Sequence, residues 1–135
     1  MHTDSFMVLL DRLPVFDFRS TATPNAFHFQ NWLVHFDAGQ EGNLSWLDIS
    51  LGILPWTGDT DPNTLYALLI SNTEMARAHA MPRWFALDTE HQYVMLKQRF
   101  YGDHFEPLDI IDMLKSLIAV QAEVREEIEA WQIAH

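Results

Sequence analysis

The chain has 135 residues, 48% of them hydrophobic and 13% aromatic, and contains no cysteine. That length supports one domain with a core of its own, and the missing cysteine excludes disulfides, a thiol nucleophile and a Cys-ligated metal site. Eight Lys+Arg against nineteen Asp+Glu give a net charge of −11, which would repel nucleic-acid phosphates and reads either as a solubility device or as complementarity to a basic partner.

The first residues lack a basic stretch leading into an apolar run, and no apolar run approaches the roughly 20 residues of a membrane helix. A cytoplasmic protein without a membrane partner is the expectation. Thr3 can cap a first helix with Phe6, Met7, Leu9, Leu10 and Leu13 on one side and Asp4, Asp11 and Arg12 on the other. Pro14 ends it, and residues 14–26, with Pro14 and Pro24, read as an irregular connection. One extended segment is expected from Phe27 to Asp37, with Trp32, Val34 and Phe36 on one face and Leu33 and His35 on the other. Ala38 to Asn43 is rich in turn formers. From Leu44 to Ile53 the alternation is clean: Leu47, Ile49, Leu51 and Ile53 share a core face, opposite Trp46, Asp48 and Ser50.

Asp61-Pro62 is a strong helix start, and the spacing of Leu65, Leu68, Leu69, Asn72 and Met75 predicts a helix to about Ala78. Residues 65–70 are apolar nearly all round, which calls for cover on more than one side; a second subunit is the simplest cover. A hairpin follows, Arg83–Asp88 and Tyr93–Tyr101 around a turn at 89–92. The last helix is expected from Pro107 to about Trp131, with Leu108, Ile111, Leu114, Leu117 and Ile118 as its apolar stripe. Short turns between strands argue for an antiparallel α+β fold, a sheet of hairpins with helices in the order α-β-β-β-α-β-β-α.

A search for chemistry yields little. The five glycines form no phosphate loop, and no Gly-x-Ser-x-Gly elbow or His-Glu-x-x-His pair occurs. His28 and His35 fall on opposite faces if their strand is regular, so they make a poor metal pair. Asp59 and Asp61 lack the other ligands of a calcium loop, and Asp61 serves as a helix cap. Neither an enzyme, a cofactor nor a metal is expected. The Glu123, Glu126, Glu127 and Glu129 cluster reads as a solvated helix face. Aromatic strand residues, among them Phe27, Phe29, Trp32, Phe36, Trp46, Trp84, Phe85 and Tyr93, exceed what one sheet face can hide. Exposed aromatics would mark a protein-binding surface; cover by the 14–26 connection or by a dimer mate is the competing reading.

Leu65-Tyr66-Ala67-Leu68-Leu69-Ile70-Ser71-Asn72, then Trp84-Phe85-Ala86-Leu87-Asp88-Thr89-Glu90, Tyr93-Val94-Met95-Leu96 and Ala122-Glu123-Val124-Arg125-Glu126 resemble class I type III secretion chaperones. That is the CesT-like family, and the DspF/AvrF type is the most similar. The resemblance implies a homodimer with Leu65, Leu68, Leu69 and Asn72 at its interface. It also implies binding of the N-terminal segment of a secreted effector in extended form, with Phe6, Leu10, Phe27, Phe29, Val34 and Trp46 as contacts, keeping the effector soluble and export-competent. Two other readings stay open: an acidic immunity or regulatory protein masking a folded basic partner, and a small α+β enzyme built from scattered histidines and carboxylates.

Overall fold

The computed structural model describes residues 3–56, 63, 67, 68, 70, 72 and 83–134. Helix α1 spans Thr3–Arg12 and runs into a 3-10 turn, Leu13–Phe16. Six strands follow: β1 Phe18–Ser20, β2 Ala26–Phe29, β3 Trp32–Glu41, β4 Leu44–Pro55, β5 Arg83–Asp88 and β6 Tyr93–Tyr101. Helix α2 spans Pro107–Ala134. The strands form one antiparallel sheet in the order β1-β2-β3-β4-β6-β5. The fold is α+β, as the hairpin pattern requires. No helix among the described residues is long and apolar enough to cross a membrane.

The register sorts the sheet into two faces. On one, Val34, Leu51, Leu96 and Phe85 lie in a row across four strands, and Phe36, Ile49, Gln98 and Arg83 in the next. Leu47, Ile49, Leu51 and Ile53 are all buried there, as their alternation predicts. The helices complete this core with Phe6, Leu9 and Leu10 of α1, Leu13 after it, and Ile110, Leu114, Leu117 and Val124 of α2. Burying one such large apolar side chain contributes about 1.5–3 kcal/mol. Arg125 donates from Nη2 to the Ile53 carbonyl at 3.1 Å, tying α2 to the end of β4.

The stripe of α2 differs from expectation. Pro107, Ile110, Leu114, Leu117, Gln121 and Val124 are buried, Ile111 and Ile118 only in part, and Leu108 lies on the solvent side. The buried positions step by three and four, the helical period, but their frame begins at a proline and includes a glutamine, so a search for aliphatic residues alone misses it.

The first half of the sheet also differs. Residues 27–37 are two strands rather than one, because the chain reverses at Gln30-Asn31, with Gln30 at φ 55. The reversal brings His28 and His35 onto the same face, since His28 pairs with Leu33 and Ala26 with His35. The 14–26 connection contains a 3-10 turn and the short β1. Asp17, at φ 68, makes the bend between them. Strand β3 continues through Ala38 to Glu41, and the turn before β4 shrinks to Gly42-Asn43, with Gly42 at φ 61 where glycine is favoured. Most of the helix expected from 61 to 78 lies outside the described residues; Asn63, Ala67, Leu68, Ile70 and Asn72 have helical backbone.

Candidate functional site

The two edges of the sheet are finished differently. Strand β5 is one edge, and its Phe85 backbone turns away from β6. Asn72 meets both groups: its Oδ1 accepts from the Phe85 N–H at 2.6 Å, and its Nδ2 donates to the Phe85 carbonyl at 3.4 Å. One side-chain amide thus stands in for a neighbouring strand. Strand β1 is the other edge. Thr21 N–H reaches the Ala26 carbonyl at 3.3 Å, so by alternation Arg19 also points toward β2 while Phe18 and Ser20 aim N–H and C=O outward. Among the described residues nothing pairs with β1 on that side.

Three of the exposed large apolar side chains lie in the segments that precede this edge in the chain; others, such as Leu44, Leu87, Tyr101 and Leu108, lie elsewhere. Val15, three positions upstream of Phe18, is 81% exposed, and Val8 and Met7 on α1 are 57% and 49% exposed. Arg12 of α1 pairs with Glu106 at 2.6 Å, which holds the end of that helix against the start of α2. His104 Nε2 also meets Glu106 at 2.7 Å. Hydrogen bonds with His104 and Arg12 hold the Glu106 carboxyl below the usual carboxylate range.

The second face of the sheet is polar yet largely covered. Its rows are His35, Ser50, Lys97 and Trp84, then Asp37, Asp48 and Arg99, then Gly39, Trp46 and Tyr101. Arg99 binds Asp48 with two hydrogen bonds, Nε to Oδ1 at 2.8 Å and Nη2 to Oδ2 at 2.9 Å. Its guanidinium lies 3.9 Å from the centre of the Trp46 ring. Gly39 makes room for that ring: a Cβ there would stand 2.2 Å from Trp46 Cζ2. The stacked layer explains how Asp48 is buried on a face that alternation marks as polar.

The sheet curls over this face until the loop between β1 and β2 reaches the turn between β5 and β6. Thr23 Oγ1 lies 3.2 Å from Glu90 Oε1 and 3.1 Å from His91 Nε2. The other ring nitrogen of His91 meets Asp88 Oδ2 at 2.8 Å. Burial by itself would raise the Asp88 carboxyl, but hydrogen bonds from the His91 backbone and ring, with help from the Glu90 N–H, hold it below the usual range. Beside the β5–β6 turn, between Asp88 and Glu90 on one side and His35 and Lys97 on the other, is a cavity of about 270 Å³. His35, half-buried on its wall, has its pKa lowered by burial and so stays neutral to lower pH than an exposed imidazole.

The residues expected to touch an effector fall mainly in the interior. Phe6, Leu10, Phe27, Phe29 and Val34 are core residues, the last fully buried, which corrects their placement on a binding surface. Phe27 and Phe29 pack with Phe18, whose ring stacks on Phe29 at 4.6 Å. Trp46 is half-buried beneath Arg99. Of the expected interface residues, Leu68 is buried and packs with the core, and Asn72 closes the β5 edge. Leu65, Leu69, Asp59 and Asp61 lie outside the described residues. The Asn72 pairing and the Thr23 latch were missed, because neither leaves a local pattern in sequence. Among the described residues no three His, Asp or Glu side chains gather as a metal site. No family model matches the chain, and no curated protein matches it in sequence.

Proposed function

We propose that the protein is a cytoplasmic, homodimeric chaperone that holds an extended N-terminal segment of a type III secreted effector. The observation that carries this reading is the open β1 edge, with Val15 exposed in the 3-10 turn that leads into it. An extended segment needs two things from its binder: backbone partners and cover for alternate side chains. Outward groups of Phe18 and Ser20 offer the first. Val15 of the 3-10 turn offers the second. The −11 charge favours a segment carrying basic residues between its apolar ones and keeps the complex dispersed. A second copy of the chain would give the apolar sequence of residues 65–70 cover beyond the core that Ala67 and Leu68 already join.

The test is capture of partners from the native cytoplasm on tagged protein, followed by limited proteolysis of the complex. A large partner protected only over part of its N-terminal region is the expected result. A compact, fully protected basic partner would replace this reading with that of a masking protein. Light scattering of the purified chain checks the dimer, with a monomer counting against it.

A further inference from the structure

Asp88, His91, Thr23 and Glu90 join the β5–β6 turn to the β1–β2 loop, and their contacts run in single file. Asp88 Oδ2 meets His91 Nδ1 at 2.8 Å, His91 Nε2 meets Thr23 Oγ1 at 3.1 Å, and Thr23 Oγ1 meets Glu90 Oε1 at 3.2 Å. A contact of this kind is a hydrogen bond only if one of its two atoms carries a hydrogen. The three contacts therefore need three hydrogens.

Whether three are present depends on the charge of one ring. Asp88 brings none: backbone N–H groups of Glu90 and His91 on its Oδ1, at 3.0 and 3.1 Å, hold it as a carboxylate. The Glu90 carboxylate brings none. Thr23 brings a single hydroxyl hydrogen, and a neutral imidazole brings a single N–H. With that N–H on Nδ1, the ring donates to Asp88, and Thr23 has one hydrogen for two acceptors, His91 Nε2 and Glu90 Oε1. With it on Nε2, Thr23 can donate to Glu90, but a bare Nδ1 faces a carboxylate oxygen. Imidazolium fills every contact: Nδ1–H donates to Asp88, Nε2–H to Thr23, and the Thr23 O–H to Glu90.

The surrounding charges favour the same state. Asp88 and Glu90 flank the ring on its own turn, and the loop opposite, residues 21–25, contains no titratable side chain. His35 on β3 lies where the charges of Asp88, Lys97, Asp37 and His91 all act on it. Burial favours the neutral form of His35, so it does not compete for the charge. Lys97 of β6 is then opposed by Asp37, Asp88 and Glu90.

We propose that these residues form a proton-operated clasp, which closes the β1–β2 loop on the β5–β6 turn when His91 takes up a proton and loosens when the proton is released. Histidine is the side chain whose charge ordinarily changes between about pH 5 and 8. A proton taken up on closing favours the closed form at the lower pH, and that benefit is lost as pH rises. Stronger acid protonates Asp88 and removes an acceptor, so the clasp also has a lower limit. It stands on contacts separate from the open edge and does not depend on the chaperone reading.

The test is NMR of the full chain, following cross-relaxation between the Thr23 methyl and the His91 ring, with the ring nitrogen shifts reporting its charge. At about pH 6 a strong contact to a doubly protonated ring is expected, and at about pH 8.5 the contact should weaken several-fold. Glu90→Gln isolates the cause. Its side-chain amide can donate to Thr23 and so supply the third hydrogen while the ring is neutral; the contact should then persist at the higher pH. Simple attraction between Glu90 and a charged ring predicts the reverse, a clasp weakened by Glu90→Gln. A contact undiminished at about pH 8.5 in the unaltered chain would overturn the proposal, and so would failure of Glu90→Gln to retain it there.

Discussion

Strand β4 is buried on both faces, but by different means. On one, Leu47, Ile49, Leu51 and Ile53 pack in a core completed by two helices. On the other, Asp48 and Ser50 are as deeply buried, beneath an Arg99–Trp46 stack and a curled sheet closed by Thr23. Burial therefore does not by itself identify a core. The apolar face is satisfied by contact alone. The polar face requires a partner for each group, and among the described residues the Ser50 hydroxyl is a buried one left without.

Substitutions should separate the faces by size of effect. Phe36→Ala opens a hole where nothing can relax inward, and a loss of about 3–5 kcal/mol is expected by urea unfolding. Asp48→Ala leaves the Arg99 guanidinium without its carboxylate, but that side chain is 30% exposed and can reach water. The expected loss is smaller, about 1–3 kcal/mol. If it equalled the Phe36→Ala loss, the polar face would be as unforgiving as the core.

The two edges sharpen the comparison further. Asn72→Ala should cost about 1–2 kcal/mol, because the buried-side groups of Phe85 lose both partners. Hydrogen exchange at the Phe85 amide should quicken while the outward amides of β1 stay as they were. Acid should act on the latch. The Asp88 pKa is lowered in the folded chain, so its contribution is present above the ordinary carboxylate range and is lost as pH falls through the lowered value. Asp88→Asn should flatten that part of the stability–pH profile. The smallest effect is expected for Ser50→Ala: a change within about 0.5 kcal/mol, or a slight gain, since it removes a hydroxyl that has no partner. A large loss would mean that Ser50 is bonded within the fold.

Legibility in the sequence follows the range of the interactions. The Leu47 to Ile53 alternation and the β5–β6 hairpin could be read because period and turn are local signals. The helix from Pro107 could also be placed, though its stripe was misframed through Leu108 and Gln121. Strand β1 has three residues between two prolines, too few for a period. The Gln30-Asn31 turn has no glycine to announce it. Alternation also says which residues share a face, but not what covers that face. Alternation thus offers no check on the family resemblance, which implies Phe27, Phe29 and Val34 as effector contacts, whereas the fold buries them in the core. The latch joins residues 23 and 91, and the Asn72 pairing joins a helix to an edge strand; only the folded chain brings them together.

Reception of an extended partner segment at the open edge can be addressed directly by one substitution. Ser20→Pro removes an outward N–H from β1 without touching the bonds to β2, at an edge position where proline is tolerated. Affinity for the captured N-terminal segment should be compared with that of the unaltered chain, with unfolding checked in parallel. A loss of about tenfold or more, near 1.4 kcal/mol, is expected, with stability little changed. Unchanged affinity in a folded Ser20→Pro protein would show that the segment binds elsewhere than the β1 edge.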